Sequence, residues 1–177
     1  MIMEGAKLVS GLIEKYQPKT ILDLGAGKGY FSILAASYGA QVDAVEDTSI
    51  RNLYPDYLKV HPSVSFYESK LDEFEITRNY DLVIAKHVVM YMDKKYVLER
   101  LIPSVYEHLN KGGLFFLTYH HSDSELLNEE EGIVHYTLDD FKSFKGSFSV
   151  KDFGDYSNPA PWINKEYKIW FIILQRN

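Results

Sequence analysis

Residues 21–32 read ILDLGAGKGYFS: an apolar strand that stops at Asp23, then Gly25, Gly27 and Gly29 at alternate positions, then the first residues of a helix. Glycine has no Cβ, so this stretch lets the backbone bend sharply and lets a ligand come within contact distance of it. With 11 glycines in 177 residues, three at this spacing arise by accident roughly 0.04 times per chain. A plain strand-to-helix turn needs one glycine and leaves the other two unexplained. The stretch reads as a cofactor-binding turn.

Outward from it, strand and helix alternate. Val9, Leu12, Ile13 and Tyr16 share one helical face, and that helix ends before Pro18. After the glycines, Phe31, Leu34, Ala35 and Tyr38 repeat the spacing, with Gly39 placed to stop the helix in a left-handed conformation. Gln41–Val45 predicts a second strand ending in Glu46 and Asp47, and Val64–Tyr67 a third, with a weak helix between them. Tyr80–Ala85 (YDLVIA) is a nearly continuous apolar run, as expected of a parallel strand covered on both faces. Leu98, Leu101, Ile102, Val105 and Leu109 line the next helix, with Asp93 as its N-cap and Pro103 either kinking it or starting a second one. Asn110–Gly113 predicts a turn and Leu114–Thr118 a fifth strand.

The last third changes character. Thr137 and Asp140 form a capping box for a short helix, and Phe148–Phe153 and Lys168–Leu174 read as two strands with no helix between them, hence antiparallel neighbours. The expectation is one α/β domain over residues 1–177, with a seven-stranded, mostly parallel sheet and an antiparallel C-terminal strand pair.

Composition narrows the chemistry. The absence of cysteine removes thiol catalysis and cysteine-ligated zinc, and no metal site is expected. A net charge of −6, scattered lysines and the acidic run Glu129–Glu131 disfavour a nucleic-acid partner. The N-terminus lacks the apolar core of a signal peptide and no segment reaches 18 unbroken apolar residues, so a cytoplasmic protein with no membrane partner is expected.

Three glycine-turn ligands compete. A P-loop would need glycine where Leu22 stands and Ser or Thr where Gly29 stands, so that reading fails. A dinucleotide fold would want a small residue at Tyr30, yet Glu46, 21 residues after Gly25, lies near the place of its ribose-binding acid, so a nicotinamide cofactor stays open. The third pattern, Asp23, Gly25, Gly27 and Gly29 followed by an acid ending strand two, resembles motif I of the class I S-adenosylmethionine-dependent methyltransferases. The likeness continues in register: Val64–Phe74 is similar to their strand-three segment, YDLVIAKHVVMYM to motif IV, and LNKGGLFFLTYH to the turn and fifth strand. It spans Thr20 to His121, and VVMYM is similar to the small tellurite-resistance type branch.

The resemblance implies a Rossmann-like, doubly wound, three-layer fold, and S-adenosyl-L-methionine held by Asp23, Gly25, Ala26, Gly27, Gly29, Tyr30, Glu46, Asp47, Leu71, Asp72 and Lys86. Glu46 suits a ribose diol, the glycine backbone the amino-acid tail, and Asp23 an ammonium group. Lys70 stands where many members place an acid for the adenine amino group; lysine cannot accept that bond, which shifts the task to the Leu71 backbone or the Asp72 carboxylate.

Methyl transfer by in-line displacement needs no enzyme nucleophile. A base, if one is used, should lie near the ends of strands four and five, where His87, His120 and His121 are the candidates. Tyr91, Tyr96 and Tyr119 either line an acceptor pocket or pack in the core. Motif IV runs on as Lys86 and His87 rather than Asn-Pro-Pro-Tyr, which disfavours nucleic-acid and glutamine amides, so a small-molecule acceptor is expected. The first helix or the loop Ser122–Gly132 is expected to close over it. Two other readings stay open: a non-catalytic S-adenosylmethionine-binding or partner-binding protein of the same fold, and an NAD(P)-dependent oxidoreductase.

Overall fold

The computed structural model describes residues 4–47, 56–122, 132–142, 144, 147–160 and 165–177. Helix α1 (Glu4–Tyr16) leads into β1 (Thr20–Leu24), α2 (Tyr30–Ser37), β2 (Gln41–Glu46), the single turn α3 (Asp56–Lys59) and β3 (Val64–Glu68). Then come β4 (Tyr80–Ala85), a 3-10 turn at Val89–Tyr91, α4 (Lys94–Tyr96), a π-helical stretch at Val97–Leu101 and α5 (Ile102–His108). The chain ends with β5 (Leu109–His121), β6 (His135–Tyr136), α6 (Leu138–Lys142), β7 (Phe148–Ala160) and β8 (Lys165–Arg176).

The strands line up as β3-β2-β1-β4-β5-β8-β7, with β6 pairing the end of β5. β1 to β5 are parallel, and β8 runs antiparallel between β5 and β7. The expected seven strands are thus present, and β6 adds a two-residue parallel pairing at His120 and His121. Because strand order reverses between β1 and β4, their C-terminal ends open a crevice, the place where ligands bind in such sheets.

Alternation along the strands builds a core on each face. Ile21, Leu82, Ile84 and Phe116 turn toward α1 and α2, meeting Val9, Ile13 and Ala35. Leu22, Val83, Phe115 and Leu117 turn the other way, onto Val97, Leu101, Ile102 and Val105. Fully burying one such aliphatic or aromatic side chain contributes about 1.5–3 kcal/mol, which is why both helical layers are held to the sheet.

Three local expectations are settled by backbone bonding. Asn110–Gly113 falls inside the bounds of β5 but pairs with neither neighbour: the register with β4 steps from Leu109 opposite Tyr80 to Leu114 opposite Leu82, so the expected turn survives as an excursion within the strand, with Gly112 at φ +78°. The Asp81 carboxylate fastens it, accepting from Asn110 Nδ2 at 2.7 Å and from the Lys19 N–H at 2.8 Å. Of the two expectations for Pro103, the second holds: it lies in the first turn of α5, where its missing N–H costs nothing, and the stretch before it is π-helical. The terminal strands run well past their apolar runs, to Ala160 and from Lys165, because the β7–β8 ladder continues after hydrophobic alternation ends. β7 lies at the sheet edge, where Pro159 is tolerated. Most of the loop expected to close over the site, residues 123–131, lies outside the described residues. No described helix is long and apolar enough to cross a membrane.

Candidate cofactor and acceptor cleft

A cleft of about 760 Å³ opens beyond the ends of β1, β2 and β4. Its near wall is the glycine bend. Gly25, Gly27 and Gly29 take φ of +67°, +57° and +70°, a region that other residues enter at a cost of about 1–2 kcal/mol. They are glycines for different reasons. A Cβ on Gly25 would run into Val88 Cγ2, whereas one on Gly27 would meet no protein atom within 4 Å and would project into open space. Gly29 caps α2, donating its N–H to Ala26 O at 2.9 Å.

The end of β2 is bonded to this bend. Val45 O accepts from the N–H groups of Gly25 (2.9 Å) and Ala26 (3.0 Å), and Glu46 Oε2 accepts from the Gly27 N–H at 2.6 Å. Asp23 lies underneath, 2% exposed, accepting the Ser32 hydroxyl at 2.7 Å and so tying β1 to α2. Burial pushes its carboxyl up to about 6, against the stabilising bond from Ser32.

Of the residues expected at the cofactor, Gly25, Gly27, Glu46, Asp47, Leu71, Asp72 and Lys86 line the cleft, and so does Lys70. Asp23, Ala26, Gly29 and Tyr30 lie outside that lining. Tyr30 points outward, 49% exposed, with its ring edge-on to Phe31. The far wall follows β4: Val88, Tyr91, Met92, Asp93 and Tyr96. Asp93 caps α4 through the Tyr96 N–H at 2.7 Å, as its position in the sequence suggests, and the Tyr96 hydroxyl reaches Leu71 O at 3.2 Å, joining the two walls. Val88 and Met92 open and close the VVMYM run that carried the family likeness, but were not among the residues expected at the cofactor.

This far wall is buttressed from behind. Val134 donates its N–H to Met90 O at 2.8 Å, and the Tyr136 hydroxyl donates to Val89 O at 3.0 Å. Lys94 bonds Asp140 Oδ2 at 2.8 Å, on the same carboxylate that accepts the Thr137 N–H in the expected capping box.

The three candidate histidines part company. His87 lines the cleft. His120 and His121 do not: His120 is 3% exposed beside the His135 ring, and His121 packs against Trp170 at 4.7 Å between centroids. Tyr119 is a core residue between Tyr136 and Phe141, while Tyr91 and Tyr96 face the cleft. His87 has φ +58°, and its N–H donates to Thr118 Oγ1 at 2.7 Å. Burial, then the charges of Lys86 and His120, pull its imidazole down to about 3, so it is neutral at pH 7. Burial also lowers Lys86 to about 8, against the opposing pull of Asp23.

The donor set suits a neutral or cationic nucleoside. A carboxylate stands at the Gly27 N–H where a phosphate would have to bind. Leu71, Val88 and Met92 offer apolar surface for a flat ring, and Glu46 offers acceptors for a diol. Among the described residues no three metal-ligating side chains converge.

A family model described as a methyltransferase domain matches residues 6–151. Protein arginine N-methyltransferase 6 of Xenopus tropicalis is 30% identical over 142 residues, 76% of this chain and 40% of that protein, so the chain spans about two fifths of its length. Among solved structures, TehB from Haemophilus influenzae superposes with a TM-score of 0.80 at 16% identity, over 97% of this chain and 62% of that one. The N-methyltransferase NodS from Bradyrhizobium japonicum WM9, in complex with S-adenosyl-L-homocysteine, gives 0.73 at 12% identity, covering 98% and 88%. Magnesium protoporphyrin IX methyltransferase from Synechocystis PCC 6803 with bound SAM gives 0.71 at 16%, covering 97% and 77%. At these identities the structural likeness speaks for the fold.

Proposed function

The chain belongs to the methyltransferase-domain family and has the class I fold, and on that premise we propose that it transfers a methyl group from S-adenosyl-L-methionine to a small-molecule acceptor. The observation that carries the reading is Gly27, bare and facing the open cleft while its N–H is held by Glu46. In this reading the second carboxylate oxygen of Glu46 takes the ribose diol, Leu71, Val88 and Met92 flank the adenine, and the backbone at Gly25 and Lys86 meets the amino-acid end. Asp23 acts from below, holding the bend to α2. One sheet with a core on each face supports treating the chain as a single domain.

When bound, the cofactor supplies a methyl group on a sulfonium, a good leaving group. The protein's share is to hold the acceptor in line and exclude water, an orientation effect worth about 7–11 kcal/mol of barrier. Of the three candidate histidines, His87 is the one beside the cleft and takes the acceptor's proton in this reading. The carboxylate at Gly27 opposes a pyrophosphate and disfavours the nicotinamide reading.

Thermal unfolding with S-adenosylmethionine and with NADH tests the proposal. At 100 times its Kd the methyl donor should stabilise the fold by about 2.7 kcal/mol, and NADH by nothing; the reverse result would overturn it. Transfer of labelled methyl to a panel of thiols, amines and carboxylates then tests catalysis. An arginine peptide, prompted by the 30% identical relative, is a second arm. Binding without transfer to any acceptor would favour the non-catalytic reading.

A further inference from the structure

Tyr156, on edge strand β7 and outside every motif, reaches the cleft from behind. Its hydroxyl lies 3.1 Å from His87 Nε2, across 69 residues of chain, and its side chain is 5% exposed. On its other side the phenol lies against α1, where a Cβ on Gly5 would run into Tyr156 Oη and Cζ. His87 is therefore held at separate points: its N–H on Thr118, its Nε2 on Tyr156, and its Nδ1 at 3.5 Å from Lys86 Nζ. A histidine with φ +58° sits in a costly conformation, and such residues persist where surrounding contacts over-determine them.

The geometry assigns Tyr156 as a positioning residue for methyl transfer, its hydroxyl accepting the Nε2 hydrogen of His87 and leaving Nδ1, on the Lys86 side of the ring, as the basic atom of the cleft. The direction follows from donor chemistry. An ammonium has hydrogens to give and no lone pair, so the imidazole nitrogen beside Lys86 is the acceptor and the other carries the hydrogen. The role rests on the methyltransferase reading. As the acceptor's lone pair takes the methyl group and the carbon–sulfur pair stays on sulfur, the Lys86 ammonium turns off the single Nδ1 lone pair and the acceptor's proton takes its place there. Tyr156 then holds the imidazolium by the same Nε2–H bond.

Protein labelled with 15N-histidine and examined by long-range 1H–15N correlation tests this without an acceptor, the His87 signals being identified by their loss in His87→Asn. The wild type should show the Nε2–H tautomer. Tyr156→Phe keeps the ring and removes the hydroxyl, and should convert His87 to a mixture of tautomers while changing the Kd for S-adenosylmethionine by less than about twofold. Gly5→Ala, which crowds the hydroxyl from the other side, should shift the tautomer in the same direction. An Nδ1–H tautomer in the wild type, or an unchanged tautomer in both variants, would overturn the assignment. A wild type that binds no S-adenosylmethionine while keeping the expected tautomer would retain the hydrogen bond but defeat the methyltransferase reading and this role with it.

Discussion

Glu46 Oε2 accepts the backbone N–H of Gly27 at 2.6 Å, so the end of one strand clamps the bend that follows its neighbour. A charge-assisted bond of this kind is worth about 1.5–3 kcal/mol. Glu46→Ala should therefore weaken S-adenosylmethionine binding about 10–100-fold by calorimetry. Glu46→Gln, which keeps an oxygen for Gly27, should fall between the two; equal affinities in all three proteins would remove Glu46 from the site.

The glycines separate folding from binding. Gly27→Val adds a side chain in open space at φ +57°, so it should fold with a stability loss of about 1–2 kcal/mol and show no thermal shift with S-adenosylmethionine. Gly25→Val must displace Val88 as well and should lose more stability. A Gly27→Val protein that binds normally would contradict the placement of the ligand.

Asp23 makes its own pH signature. Its carboxyl keeps a proton up to about pH 6 in the fold but releases it near 3.8 when unfolded. The native state thus holds more protons in that window, and stability falls as pH rises through it. Asp23→Asn should gain about 1–3 kcal/mol at pH 8 in urea unfolding, with most of the gain gone by pH 4.5. A loss of stability equal at both pH values would refute this.

The buried histidines act with the opposite sign. His87 and His120 are pulled down to about 3 and about 4, so the unfolded chain takes up their protons first as pH drops below 6.5. Each contributes a fall of up to about 1.4 kcal/mol per pH unit between pH 6.5 and its folded value. His87→Asn, whose side chain tolerates a left-handed φ, should flatten the pH 6.5–4.5 limb relative to wild type. Parallel curves would mean that His87 takes up its proton as readily in the fold as in the unfolded chain.

Gly5→Ala is expected to run against helix propensity. Alanine normally gains up to about 1 kcal/mol over glycine inside a helix, but here its Cβ runs into the Tyr156 hydroxyl, so the variant should be less stable than wild type. The loss should shrink but not vanish in a Tyr156→Phe background, where the oxygen is gone while ring carbon Cζ still stands against the added Cβ. Additive effects in this double-mutant cycle would show that the two residues do not meet.

Much of the fold was legible because its signals are local. Helical spacing in Val9 to Tyr16, the both-faces apolar run of Tyr80–Ala85, the Asp93 cap and the Thr137–Asp140 box each depend on residues a few positions apart, and each recurs in the structure. The turn chemistry of Asn110–Gly113 was legible too, but that the turn would be an excursion within one strand, fastened by the Asp81 carboxylate, was not, because it depends on β4 standing alongside.

The amino-acid sequence by itself determined the alternation of strands and helices, the antiparallel closing pair and a glycine bend built for close approach. Only the tertiary structure decided that Asp23 lies under that bend rather than on the cleft, that His87 alone of the three histidines reaches it, and that Tyr156 stands behind His87. The physical reason is range. Periodicity and backbone preference act between near neighbours along the chain, whereas the direction of a side chain at a strand end depends on which distant strand the sheet places beside it.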